Sequence, residues 1–163
     1  MSVVSFSVQG LPGPQGSKVN LGRGRMVESS AKVRPWRQAV YFASSEAYAG
    51  PLLQGPVELK VLFKFPRPKN HYGTGKTAKA KTREGEIKEN APNWVISHSA
   101  GDLSKLLRST EDALSATCGG CVLHDDALIA SVTAAKRYCS AEETPGAVIT
   151  ISQLREEQQP GID

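Results

Sequence analysis

The nine residues Val57–Phe65, VELKVLFKF, constrain this chain more than any other stretch. Val57, Leu59, Val61, Phe63 and Phe65 are apolar at a strict period of two. Successive side chains of a strand point to opposite faces, so this pattern predicts a strand with one face buried in a core. Pro66 and Pro68 stop it.

The other elements are placed around that strand. Val3–Val8 alternates apolar and small polar residues and reads as a strand. The Gly- and Pro-rich run from Gly10 to Arg25 argues against a helix and leaves Lys18, Arg23 and Arg25 exposed. Ser29 or Ser30 can cap a helix running to about Ala49, in which Trp36, Val40 and Ala43 or Ser44 share a face. Pro35 is tolerated only near a first turn, so the regular part is expected to begin close to it. Residues 67–100 hold no apolar period before Trp94, and a long mobile basic loop is expected there. Leu103, Leu106, Leu107, Thr110 and Leu114 line one face of a second helix, about Leu103–Ala116. Val122-Leu123 starts a short strand. Ala127–Tyr138 fits strand or helix, with strand favoured, and Ala147–Leu154 is a last strand before a polar tail from about Arg155. The order β, α, β, loop, α, β, β predicts an α/β (α+β) fold over residues 1–163: a small single domain with a mixed sheet and helices packed on one face.

The formal net charge is +4, which suits a polyanionic partner without demanding one. No segment approaches the roughly 18 apolar residues of a membrane span, and the first residues do not read as a signal peptide. Three cysteines, an odd number, argue against a disulfide framework and favour a reducing, cytoplasmic setting.

Acidic residues bracket the second helix: Asp102 at its start, Glu111 and Asp112 within it, and Asp125-Asp126 after the next turn. Hydrolysis of a phosphodiester needs an activated water and a stabilised leaving oxygen, and magnesium held by oxygen ligands supplies both. Clustered carboxylates repel, so a cluster favours a cation. Each also has a plainer reading: Asp102 as a helix N-cap, Asp125-Asp126 as a turn before a strand.

GDLSKLLRSTEDAL (Gly101–Leu114), followed by VLHDDALIASVTAAKRY, resembles the signature of the RusA-type Holliday-junction resolvases. That signature has Asp-x-Asp at a helix start, a basic residue four positions later, Asp-Ala-Leu, then an Asp-Asp pair with a lysine about ten residues beyond. GLPGPQGSK and GAVITI resemble the family's segment after its first strand and its last strand. The resemblance covers nearly the whole chain outside residues 67–98. It implies a magnesium- or manganese-dependent endodeoxyribonuclease acting on branched DNA in recombination and repair. It also implies a homodimer, with no small-molecule cofactor. By the same resemblance Asp102 and Asp126 are metal ligands and Asp125 assists. Arg108 meets the scissile phosphate or the transition-state charge. Asp112 stands behind them or is a solvated helix residue.

Position 104 departs from the pattern: Ser104 stands where the family has Asp. A hydroxyl is a neutral, weaker magnesium ligand. Either the site works with fewer carboxylates, or Asp125 supplies the oxygen, or the site is impaired. The rival expectation is therefore a structure-selective junction-binding protein with little or no catalysis. Lys18, Arg23, Arg25 and Lys105 are assigned to DNA backbone. Cys118, Cys121, His124 and Cys139 have zinc-ligand chemistry but lack a second Cys-x-x-Cys, and three free thiols is the simpler expectation. The cations of the 67–100 segment, Arg67 among them, suit phosphate neutralisation or a solvated loop.

Overall fold

The period-two segment folds as a strand with the expected bounds, at an interior position of a four-stranded sheet. The structure, a computed structural model, describes residues 2–16, 18–24, 26–28, 31–76, 82–157 and 161. In chain order the elements are β1 (Ser2–Gln9), β2 (Lys18–Asn20), β3 (Met26–Glu28), α1 (Val33–Ala47), β4 (Val57–Phe65), α2 (Leu103–Leu114), β5 (Ile129–Tyr138) and β6 (Gly146–Gln153). The main sheet has the order β1-β6-β4-β5. β6 is antiparallel to both β1 and β4, whereas β5 runs parallel to β4. A parallel pair needs a long crossover connection, and here that connection carries α2.

One face of the sheet is buried. Val4, Phe6 and Val8 of β1, the odd-numbered residues of β4, and Ala147, Ile149 and Ile151 of β6 form it. Against it α1 sets Trp36 and Val40, and α2 sets Leu106, Ala113 and Leu114. The fold is thus α+β, with a mixed sheet and two helices, as the order of elements implies. The helices also bond each other, since Trp36 Nε1 donates to Thr110 Oγ1 at 3.1 Å inside the core. Among the described residues no helix is long and apolar enough to cross a membrane.

Three local expectations are revised. Lys32, not Ser29 or Ser30, occupies the N-cap position of α1, without a side-chain cap; both serines lie outside the described residues. Pro35 falls in the first turn, where its missing N–H is harmless. Helix α2 stops at Leu114, because residues 116–118 tighten into a 3-10 turn and Gly119 takes φ +93°. Leu123 is a bridge residue, paired with Leu53 and Ser115, rather than part of a longer strand. Within the basic Gly-rich run, β2 and β3 form an antiparallel hairpin that no apolar alternation announces.

The 67–100 segment holds short 3-10 turns at 69–71 and 98–100 and isolated bridges; residues 77–81 lie outside the described ones. Arg67 pins its return. Nε donates to Cys139 O at 2.8 Å, Nη1 to Pro92 O at 2.7 Å and Nη2 to Asn93 Oδ1 at 3.0 Å. The guanidinium also lies 5.5 Å from the Tyr138 ring centroid. So many protein partners make Arg67 a structural cation rather than a phosphate contact.

His71 is buried beside this hub, edge-on to Tyr138 at 4.8 Å. Burial holds its imidazole below the ordinary value, and the charges of Arg67 and Lys88 add to that. A base with a lowered folded-state pKa gives stability that is present above its unfolded pKa and lost as pH falls below about 6.5. Thermal midpoints measured across that range are expected to fall on the acid side, and His71→Phe to flatten the fall. An equally steep fall in the variant would contradict this assignment.

Candidate active site

Helix α2 buries Leu106, Ala113 and Leu114, which leaves Ser104, Arg108 and Asp112 on its outer side at i, i+4 spacing. Lys105 and Glu111 flank this row. Asp102 holds the N-cap position with extended backbone, yet its carboxylate makes no cap bond. Instead Asp102 Oδ2 lies 3.5 Å from Lys105 Nζ, and both groups are exposed. A solvated pair of this kind contributes little to stability and leaves each side chain free to take another partner.

The start of α2 is fixed by the Gly- and Pro-rich segment that follows β1. Ser109 Oγ donates to Gly13 O at 2.5 Å, and Gln15 N–H donates to Lys105 O at 3.0 Å. Pro14 packs on Gly101 so closely that a Cβ there would lie 2.4 Å from its ring. Only glycine fits that contact, and Gly101 also takes φ +84°.

After α2 the chain doubles back. Leu123 N–H donates to Leu114 O at 3.0 Å, and Ala116 N–H donates to Leu123 O at 2.8 Å. This return delivers Asp125 and Asp126 to the C-terminal half of α2. Asp125 caps the 3-10 turn 126–128 by accepting from Ala127 N–H at 2.8 Å. That hydrogen bond, then one shared with Asp126, holds the Asp125 carboxyl below its usual value. Asp126 is shifted upward, first by loss of water around it, then by the hydrogen bond and charge of Asp125, with the charge of Asp112 adding. Glu111 is raised too, by burial first, then by Asp126 and Asp112, with Arg108 opposing.

The carboxyls of Asp125, Asp126, Asp112 and Glu111 therefore influence one another, and Glu111 is an acidic residue of α2 that the sequence reading named without assigning it to the site. Arg108 acts on the same group through Glu111. Asp102 sits at the other end of α2: Glu111 is nine residues further on, about 13 Å along the helix axis. Ser104 is exposed, one turn from Arg108. The donor chemistry suits a hard divalent cation, being carboxylate oxygen in mutual repulsion. The geometry of the single chain does not: among the described residues no three His, Cys, Asp or Glu side chains are grouped so that they could hold a metal ion.

Of the residues assigned to DNA, Lys105 is exposed on α2 and Arg23 is exposed with φ +51° at the tip of the β2–β3 hairpin. Lys18 lies on β2, but its side chain and the whole of Arg25 lie outside the described residues. Cys118 is exposed and Cys121 is half-buried near Ser44, whereas Cys139 is buried beyond the far end of β5. The three thiols do not meet.

Crowded carboxylates beside an exposed arginine, on a chain of net positive charge, are the side-chain types that phosphodiester hydrolysis uses. A comparison with protein families matches residues 11–152 to Endodeoxyribonuclease RusA, and the chain belongs to that family. Membership implies an endodeoxyribonuclease that acts on Holliday junctions. A comparison with curated proteins found no match.

Proposed function

We propose that the chain hydrolyses phosphodiester bonds of branched DNA in a reaction that depends on magnesium or manganese. Membership of an endodeoxyribonuclease family carries this reading, supported by the mutual influence of the Asp126, Asp125, Asp112 and Glu111 carboxyls. Asp126, Asp125 and Asp102 are its ligand candidates, with Ser104 as a weak neutral one. A divalent ion bound among such oxygens supplies positive charge that polarises a phosphodiester.

The chain's own residues do the rest. Arg108 presents a planar guanidinium from the outer face of α2, able to grip two phosphate oxygens. Asp125 is tied to the Ala127 N–H, which fixes the turn that carries Asp126. Lys105 and Arg23, with Lys18 and Arg25, neutralise DNA backbone, so binding is expected to weaken steeply with salt. A homodimer would set two such sites against the near two-fold symmetry of a four-way junction.

One observation favours a second reading. Ser104 stands where the family pattern has a carboxylate, and among the described residues of the single chain no three acidic, His or Cys side chains close around an ion. A junction-binding protein with impaired catalysis fits both facts. Cleavage of a labelled four-way junction by the chain beside its Ser104→Asp variant separates the two. Cutting by the parent supports the nuclease. Cutting by the variant alone means a resolvase scaffold disarmed at one position. Failure of both to cut or bind removes the proposal.

A further inference from the structure

We infer that Lys136 is a positioning residue: its ammonium ties β5 to the Gly101 carbonyl and thereby sets where α2 begins and where Asp102 sits. This rests on the reading of Asp102 as part of the reactive site.

The register between β4 and β5 aligns Lys136 with Phe63, which is fully buried. Paired residues of parallel strands share a face, so Lys136 projects from the side of the sheet that carries the helices. A lysine in that row is costly unless its charge finds a partner. Lys136 Nζ donates to Gly101 O at 2.7 Å, the short distance of a charge-assisted bond. Three lysines meet carboxylates, Lys60 with Glu58, Lys64 with Glu143 and Lys105 with Asp102, whereas Lys32 and Lys88 donate to main-chain oxygens at 3.2 and 3.0 Å. Lys136 likewise holds a main-chain oxygen, at the shortest distance of the three.

That oxygen belongs to the peptide that leads into α2. The Gly101 carbonyl and the Asp102 nitrogen and Cα lie in one rigid peptide plane, so fixing the oxygen fixes the direction in which Asp102 leaves the turn. Two further contacts fix the same turn. Lys32 Nζ donates to Ser99 O at 3.2 Å, and Pro14 packs on Gly101 from the opposite segment of chain. Because Asp102 makes no cap bond of its own, its position depends on these external ties. A shift of about 1 Å in a reactive group lowers rates by roughly 100-fold.

The test uses Lys136→Met and Lys136→Arg in whichever of the parent or the Ser104→Asp chain cuts junctions. Amide hydrogen exchange is read over residues 101–106, and single-turnover cleavage and junction affinity are measured beside it. For Lys136→Met, exchange in that stretch is expected to quicken about 10-fold and cleavage to fall roughly 100-fold, with junction affinity changed less than about threefold. Lys136→Arg, which keeps a charged donor, should restore most of both. Unchanged exchange in a chain that cuts overturns the clamp alone. Quickened exchange with full cleavage, or global unfolding of Lys136→Met, makes the residue merely structural and overturns the positioning role. If neither background cuts, the functional reading has failed, and the catalytic role of the clamp fails with it.

Discussion

Asp126→Asn is expected to lower single-turnover cleavage of a four-way junction by on the order of 10³-fold, the scale of the several kcal/mol that a bound ion contributes to a transition state. The same substitution should leave the fold intact. Asp126 is exposed, and its carboxyl is pushed upward by partial loss of water, then by Asp125 and by Asp112. An acid with a raised folded-state pKa weakens the fold once pH rises high enough to ionise it, so a neutral amide removes repulsion rather than adding it. Glu111, raised in part by Asp126, should ionise more easily in the variant. The thermal midpoint is expected to stay within about 2 °C of the parent or to rise. A variant that cuts at the parental rate would remove Asp126 from the chemistry. One that loses both rate and several degrees would mark it as a structural residue.

The largest expected effect on stability is at Trp36. Trp36→Ala should destabilise the chain by about 3–5 kcal/mol. With about 2–4 °C per kcal/mol for a chain of this size, that is a fall of roughly 6–20 °C in thermal midpoint. The indole is almost wholly buried, tilted against Phe63 with ring centroids 6.2 Å apart, and it joins α1 to α2 through Thr110. Removing it empties volume at the meeting point of both helices and the sheet, and it breaks the one indole bond that fixes α2 against α1. Trp36→Phe keeps much of the volume and loses the donor, so a smaller loss of about 1–2 kcal/mol is expected. Equal losses in the two variants would show that volume has little part in the effect. A loss under about 1 kcal/mol for the alanine would contradict the packing described.

The comparison of sequence with structure turns on how local each signal is. Strand β4 was legible to the residue because its period of two is carried entirely by nine consecutive positions. The start of α2 was legible because Asp102 and the apolar face from Leu103 mark it locally. The β2–β3 hairpin was not: three-residue strands are too short to show alternation, and the glycines Gly22 and Gly24 that follow β2 read only as a loop. The use of Arg67 was hidden because its partners, Pro92, Asn93 and Cys139, lie 25 to 72 positions away.

In the candidate site, Asp125, Asp126, Asp112 and Arg108 could be named from the family pattern. Glu111 could be named only as one acidic residue of the cluster, since the influence of Asp126 on it depends on the return of Leu123 beside Leu114. Its position three residues after Arg108, on the same side of the helix, is the one local hint.

The most direct test of the account is cleavage of a labelled four-way junction beside a linear duplex of the same sequence, in magnesium, in manganese and in chelator. The account predicts cuts in the junction, with either ion present, and none in chelator or in the duplex. Cutting that persists in chelator, or that falls equally on the linear duplex, would contradict it.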